Sequence, residues 1–114
     1  MSKDPRPAAL EILARIERLR RFRQTDPVSL PLGTDNRDIA ERCVEVISEA
    51  SRRLPAAFNA SHPHIDWRGI AAIGNVLPHG YDAIYEPILV DVIVHQIDTL
   101  EAAVATLLND LDQE

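Results

Sequence analysis

The chain has 114 residues, 46% of them apolar and 26% charged, a size and balance that suit one globular domain able to bury a core without disulfides or metal. Its formal net charge of −6 argues against a broad phosphate-binding surface, because non-specific nucleic-acid affinity comes from clustered Lys and Arg. Any nucleic-acid contact has to be local.

Cys43 is the single cysteine, so no internal disulfide is possible, and on the apolar side of a helical pattern such a thiol behaves as a small core residue. No run of apolar residues approaches the length of a membrane span, and the opening Met-Ser-Lys-Asp-Pro-Arg-Pro lacks the apolar stretch of a signal peptide. A cytoplasmic protein without membrane contact is expected. One domain over 1–114 is expected as well, frayed at 1–6 and 111–114.

From Ala8 to Phe22 the apolar residues Ala8, Ala9, Ile12, Ile16, Leu19 and Phe22 recur at three- and four-residue steps, which predicts an amphipathic first helix. Arg15, Arg18, Arg20, Arg21 and Arg23 crowd its C-terminal half. The negative end of the helix dipole accounts for them as a solvated face, with RNA contact as the alternative. Pro27, Pro31 and Gly33 then mark a turn-rich connection, and Thr34 or Asp35 can cap the helix that follows.

That second helix carries the stripe Ile39, Cys43, Val46, Ile47, Ala50 and Leu54 and stops at Pro55. Residues 55–66 predict a loop or short helical turn leading to a third helix capped by Asp66. Pro87 suits the first turn of a last helix, whose stripe runs Leu89, Val92, Ile93, Ile97, Leu100, Val104, Leu107 and Leu111. No segment alternates with period two and no internal repeat is present. The expected fold is all-α, an up-down four-helix bundle with a long C-terminal helix.

Few patterns in the chain carry chemistry. His62 and His64 resemble half of a metal site, yet neither a zinc-finger nor a di-iron spacing is completed, so they read as loop histidines and no metal is expected. His95, four residues after Asp91, can form a simple surface pair. The four glycines are scattered and none opens a phosphate loop, so no nucleotide cofactor is expected.

The stretch from Trp67 to Tyr85 differs, because Asn75, His79, Tyr81 and Asp82 fall close together with Gly74, Pro78 and Gly80 between them. Pro78 lacks an N–H for position 74, so a helix would bend or break most easily at 74–78 and present His79. A histidine titrates near pH ~6.5 and can serve as general acid-base for attack by a ribose 2′-hydroxyl on its phosphate. A helix-end histidine without chemistry is the alternative reading.

The segment Glu41 to Pro55, the lead His62-Pro-His-Ile-Asp-Trp-Arg-Gly-Ile70, and His79 followed by Tyr81 together resemble the HepT-like toxin family of the HEPN superfamily. The resemblance covers nearly the whole chain. The family signature is an arginine, four to six residues, a histidine and often x-tyrosine. His79 and Tyr81 match its last two positions. The arginine would fall on Gly74, Ile73 or Ala72, and the nearest upstream arginine is Arg68. Gly74-Asn75 resembles a subgroup with Gly-Asn at this point and commonly an arginine before the histidine, where this chain has Pro78.

The resemblance implies a HEPN-like bundle that forms a homodimer, metal-independent ribonuclease activity, and pairing with a minimal nucleotidyltransferase antitoxin that can transfer AMP to Tyr81. Catalytic roles fall on His79, with Asn75 and Tyr81 beside it, and RNA is the substrate. A catalytically degenerate relative that binds a nucleotidyltransferase partner or RNA is the second reading, and a plain helical scaffold dimerising through its last helix is the third.

Overall fold

The computed structural model describes residues 4–76 and 82–113, with positions 75, 76 and 82–85 described by their backbone alone. Helix α1 spans Arg6–Arg20 and continues as a 3₁₀ turn over Arg21–Gln24. It is followed by α2 (Asp35–Ser51), a short α3 (Ala56–Ala60), α4 (Trp67–Val76), α5 (Asp82–Asp91), a π-helical turn (Val92–Gln96) and α6 (Ile97–Asp112). Among the described residues there is no strand, and the four long helical segments pack as an all-α bundle.

The predicted stripes supply the core. Helix α1 buries Ala8, Ala9, Ile12, Ile16 and Leu19, and Phe22 packs partly buried beside them. Helix α2 buries Cys43, Val46, Ile47 and Ala50, with Leu54 just beyond its end. Leu89, Val92, Ile93, Ile97, Leu100 and Val104 close the other side. Burying each Ile or Leu contributes about 1.5–3 kcal/mol of transfer free energy, so the α1–α6 seam alone outweighs any surface pairing in the molecule.

Helices α1 and α6 run antiparallel. At one end Arg6 Nη2 donates to the Leu111 carbonyl at 3.2 Å. At the other, Arg20 grips Glu101 through two hydrogen bonds of 2.7 and 3.0 Å, and both Arg20 and Arg23 reach Asp98. Hydrogen bonds from Arg23, then Arg20, hold the Asp98 carboxyl below its ordinary pKa. Those to Glu101, then Asp98, hold the Arg20 guanidinium above its own. Two of the five clustered arginines therefore serve as an interhelical clamp.

The first long connection is tied down from both sides. Leu30 is wholly buried; its N–H donates to Glu86 Oε2 at 2.8 Å and its carbonyl accepts from Arg37 Nη1 at 2.9 Å. Gly33 takes φ +86°, a backbone region that favours glycine, and Thr34 caps α2 by accepting from the Arg37 N–H at 3.2 Å. The stripe assigned to α2 needs one correction. Ile39 is 43% exposed, while Arg37, two residues earlier, is buried with its Nη1 donating to the Leu30 carbonyl and its Nε to Glu41 Oε2 at 2.8 Å, which leaves Nη2 without a partner among the described residues.

Helix α3 forms an aromatic corner. Phe58 meets Trp67 edge-on at 5.7 Å and His62 at 4.5 Å, and Trp67 Nε1 donates to the Asn59 and His62 carbonyls at 3.1 Å. His62 Nδ1 lies 2.9 Å from Ser61 Oγ and 3.0 Å from the Phe58 carbonyl. The corner fixes where α4 begins, and Asp66 caps it by accepting from the Gly69 N–H at 3.0 Å.

The last helical run differs from its prediction in two places. Pro87 lies inside α5 instead of its first turn. The π-helical turn then widens the spiral, so that Asp91 Oδ2 accepts from Gln96 Nε2, five residues on, at 2.5 Å rather than pairing with His95 at four. Arg23 Nε donates to the Ile93 carbonyl within that turn at 2.8 Å.

Candidate functional site

Of the residues singled out from the sequence, Asn75 lies in the last turn of α4, where its backbone alone is described. His79 and Tyr81, together with Pro78 and the bend expected at 74–78 beyond Val76, lie outside the described residues. What is defined is the platform that leads into them, the C-terminal end of α4 seated on the C-terminal half of α2.

The seat is close because it is made of small groups. Gly74 N–H donates to Ser48 Oγ at 3.2 Å, and the Ser48 hydroxyl donates to the Ala71 carbonyl at 3.1 Å. A Cβ at position 74 would stand 2.6 Å from Ser48 Oγ and 3.2 Å from Ser48 Cβ. Real Cβ atoms do not sit 2.6 Å from another heavy atom, so glycine at 74 is what lets the two helices meet this closely. An arginine there would first need Ser48 to give way.

The next group out from the absent side chain is a guanidinium. Arg52 follows the last residue of α2, and its Nη2 lies 3.7 Å from where the Gly74 Cβ would be. The same nitrogen donates to the Ala71 carbonyl at 2.5 Å, and Nη1 donates to Glu49 Oε2 at 3.3 Å. Arg52 thus sits on α4's own backbone although α2 supplies it.

Beside this contact opens a surface cleft of about 350 Å³, bordered by Arg42, Arg52, Arg53, Glu45, Glu49 and Gly74. A second cleft, of about 500 Å³, lies at the other end of α1 and is bordered by Arg18, Arg21, Phe22, Asn36 and Ile39. Arg18 and Arg21 make no ion pair among the described residues, unlike Arg15, Arg20 and Arg23. The arginine cluster of the first helix therefore divides into a structural part and a solvent-facing part.

No group of three or more His, Cys, Asp or Glu side chains is placed to hold a metal ion among the described residues. His64 and His95 border a smaller pocket with Asp66, Gln96 and Thr99, while His62 is taken up by the aromatic corner. No described helix is long and apolar enough to cross a membrane.

Comparison with known proteins assigns the platform to a lineage. The family described as ribonuclease HepT-like matches residues 11–107. The chain belongs to that family. Its curated relatives include a candidate RNase of Caldanaerobacter subterraneus, 32% identical over 93% of this chain and 96% of the relative. A candidate RNase of Methanocaldococcus jannaschii is 29% identical over 64% of this chain and 60% of its own length. A protein of Thermococcus cleftensis named as a probable ribonuclease HepT is 33% identical over 53% of this chain and 54% of its own. The chain thus spans little more than half of the last two relatives. No solved structure matches.

Sequence reasoning singled out His79, Asn75 and Tyr81 and passed over Ser48 and Arg52. The signal for them is the pairing of Gly74 with a small residue and an arginine one turn apart on another helix. That pairing needs the helix contact to be seen.

Proposed function

We propose that this HepT-like chain is a metal-independent endoribonuclease toxin, with His79 as its general acid-base. The observation that carries the reading is the family match over residues 11–107, which includes His79 and Tyr81 in the His-x-Tyr spacing. His79 would take the proton of a ribose 2′-hydroxyl as that oxygen attacks the adjoining phosphorus. The phosphodiester closes to a 2′,3′-cyclic phosphate and the 5′-oxygen leaves with a proton. General acid-base assistance of this kind contributes about 10²–10⁴ in rate. Asn75, one residue past Gly74, is assigned a substrate contact.

In the same reading the chain works as a cytoplasmic homodimer and is held in check by a minimal nucleotidyltransferase antitoxin. The Tyr81 hydroxyl would attack the α-phosphorus of ATP on that partner, take up AMP and release pyrophosphate, placing a bulky anion two residues from His79.

The test is expression of the chain alone in a bacterial host, with and without His79→Ala, following growth and the integrity of total RNA. Growth arrest with cut RNA, abolished by His79→Ala, supports the proposal; intact RNA and unimpaired growth with both forms reject it. A second reading, a catalytically degenerate relative that binds the nucleotidyltransferase or RNA, is favoured by Gly74 and Pro78, which stand where cations of the family signature are expected. Robust His79-dependent cleavage excludes it.

A further inference from the structure

In-line attack by a 2′-hydroxyl concentrates negative charge on the non-bridging phosphate oxygens, and a protein that cuts RNA without a metal needs a fixed cation at that point. Helix α4 makes the need sharper. Its C-terminal end, which the chain reaches at Val76, is the negative pole of its dipole and by itself repels a phosphate. Position 74, in the last turn, cannot supply a counter-charge, because its Cβ would collide with Ser48.

We propose that Arg52 is the phosphate-holding cation of the RNA site, supplied by α2 in place of an arginine on α4. This rests on the reading of the chain as RNA-cleaving. Among the described residues, the charged atom that stands nearest to where a Gly74 Cβ would be is Arg52 Nη2, 3.7 Å away. The bond from Nη2 to the Ala71 carbonyl and the Ser48 bridge beneath it keep this guanidinium in step with the C-terminal half of α4. Its side chain is 41% exposed on the cleft beside Gly74, and a planar guanidinium can meet two phosphate oxygens together.

The other arginines are placed less well. Arg68 is the second residue of α4, six residues before Gly74, or about 9 Å along the axis at 1.5 Å per residue. Arg42 lies about 15 Å from Arg52 by the same measure and is 3.9 Å from Glu45. Arg53 is 3.9 Å from Glu11 across the α1 side of the cleft. Glu49 is a carboxylate that competes with a phosphate for Arg52, at 3.3 Å and largely exposed.

The test is binding of a 2′-O-methyl RNA oligonucleotide, which cannot be cut, to the full chain by fluorescence anisotropy at fixed ionic strength. Arg52→Gln is expected to weaken binding about tenfold and to lower the salt dependence by about one phosphate contact. Arg52→Lys, which keeps the charge and loses the fork, should recover part of the loss. Glu49→Gln should tighten binding about twofold to threefold, a gain that no folding defect can mimic. Arg42→Gln, removing an equal charge elsewhere in the cleft, should stay within about twofold of wild type. Wild-type chain that does not bind, Arg52→Gln that binds as wild type, or Arg42→Gln that loses as much as Arg52→Gln overturns the inference.

Cleavage assays on the same variants separate it from the functional reading. Cleavage that needs His79 but proceeds at the wild-type rate in Arg52→Gln removes Arg52 and leaves the ribonuclease. Binding that needs Arg52 in a chain that cuts no RNA removes the ribonuclease and leaves Arg52 as a phosphate holder.

Discussion

Arg37 and Arg52 stand near the two ends of α2 and are wired almost alike. Each donates to a backbone carbonyl of a neighbouring element, Leu30 for one and Ala71 for the other, and each meets a glutamate of its own helix, Glu41 or Glu49. They differ in water. The Arg37 side chain is 2% exposed and that of Arg52 41%. A sealed guanidinium holds the fold and can do nothing else, whereas a half-exposed one on the same kind of anchor is fixed in place and still reachable by a ligand. The chemistry of the cleft therefore follows from where along α2 the neighbouring elements stop covering it.

The comparison breaks most visibly at Arg37. Arg37→Ala strips the Leu30 carbonyl and leaves Glu41 half-enclosed; removing one partner of a buried pair costs about 3–5 kcal/mol, and the partial exposure of Glu41 brings the expected loss to about 3 kcal/mol. Urea titration at neutral pH measures it, and RNA binding by the fraction still folded should be unchanged. Gly74→Ala comes next. Crowding Ser48 costs about 1–3 kcal/mol, offset by the roughly 1 kcal/mol that alanine gains in a helix, so a net loss of about 1–2 kcal/mol is expected in the same titration.

Arg52→Gln should move stability by less than about 0.5 kcal/mol, since an exposed pair contributes little. Thermal melts that place Arg52→Gln beside Arg37→Ala would erase the distinction drawn between them. The smallest effect concerns the α1–α6 clamp. Arg23 and Arg20 depress the Asp98 pKa, so the contribution of Asp98 is full above the unfolded carboxylate value of ~3.9 and fades as pH falls through the lower folded value. Asp98 is 63% exposed, which screens the gain. Melts of Asp98→Asn should lie slightly below wild type at pH 7 and draw level as acid protonates the wild-type carboxylate as well.

Much of this molecule is legible before folding. The spacing of Ile12, Ile16 and Leu19, the cap at Thr34 and the cap at Asp66 are local signals, and each appears where a helix period or a short polar side chain places it. Family membership was legible from scattered positions along the chain. Other features depend on partners distant in sequence. Arg37 reads as a surface charge until Leu30 folds over it, and Ile39 reads as core until its face is left uncovered. The extra residue of the π-helical turn shifts helix phase by less than a single stripe reveals. Arg52 gives no sign of importance until α4 lies against α2. His79, Asn75 and Tyr81 rest on motif and chemistry.

The contact between Ser48 and Gly74 also bears on how such a sequence can change. A substitution that places arginine at 74 meets the serine hydroxyl at 2.6 Å and is penalised before its charge can help. Ser48→Ala alone gives up the bridge between the two helices and gains nothing in return. Only together, with the nearest contact relaxed to 3.2 Å, do the two changes become compatible, and by then Arg52 occupies the neighbouring space. Neighbouring sites coupled in this way are not additive, so arginine at 74 becomes accessible to this sequence through a paired change and not through single steps.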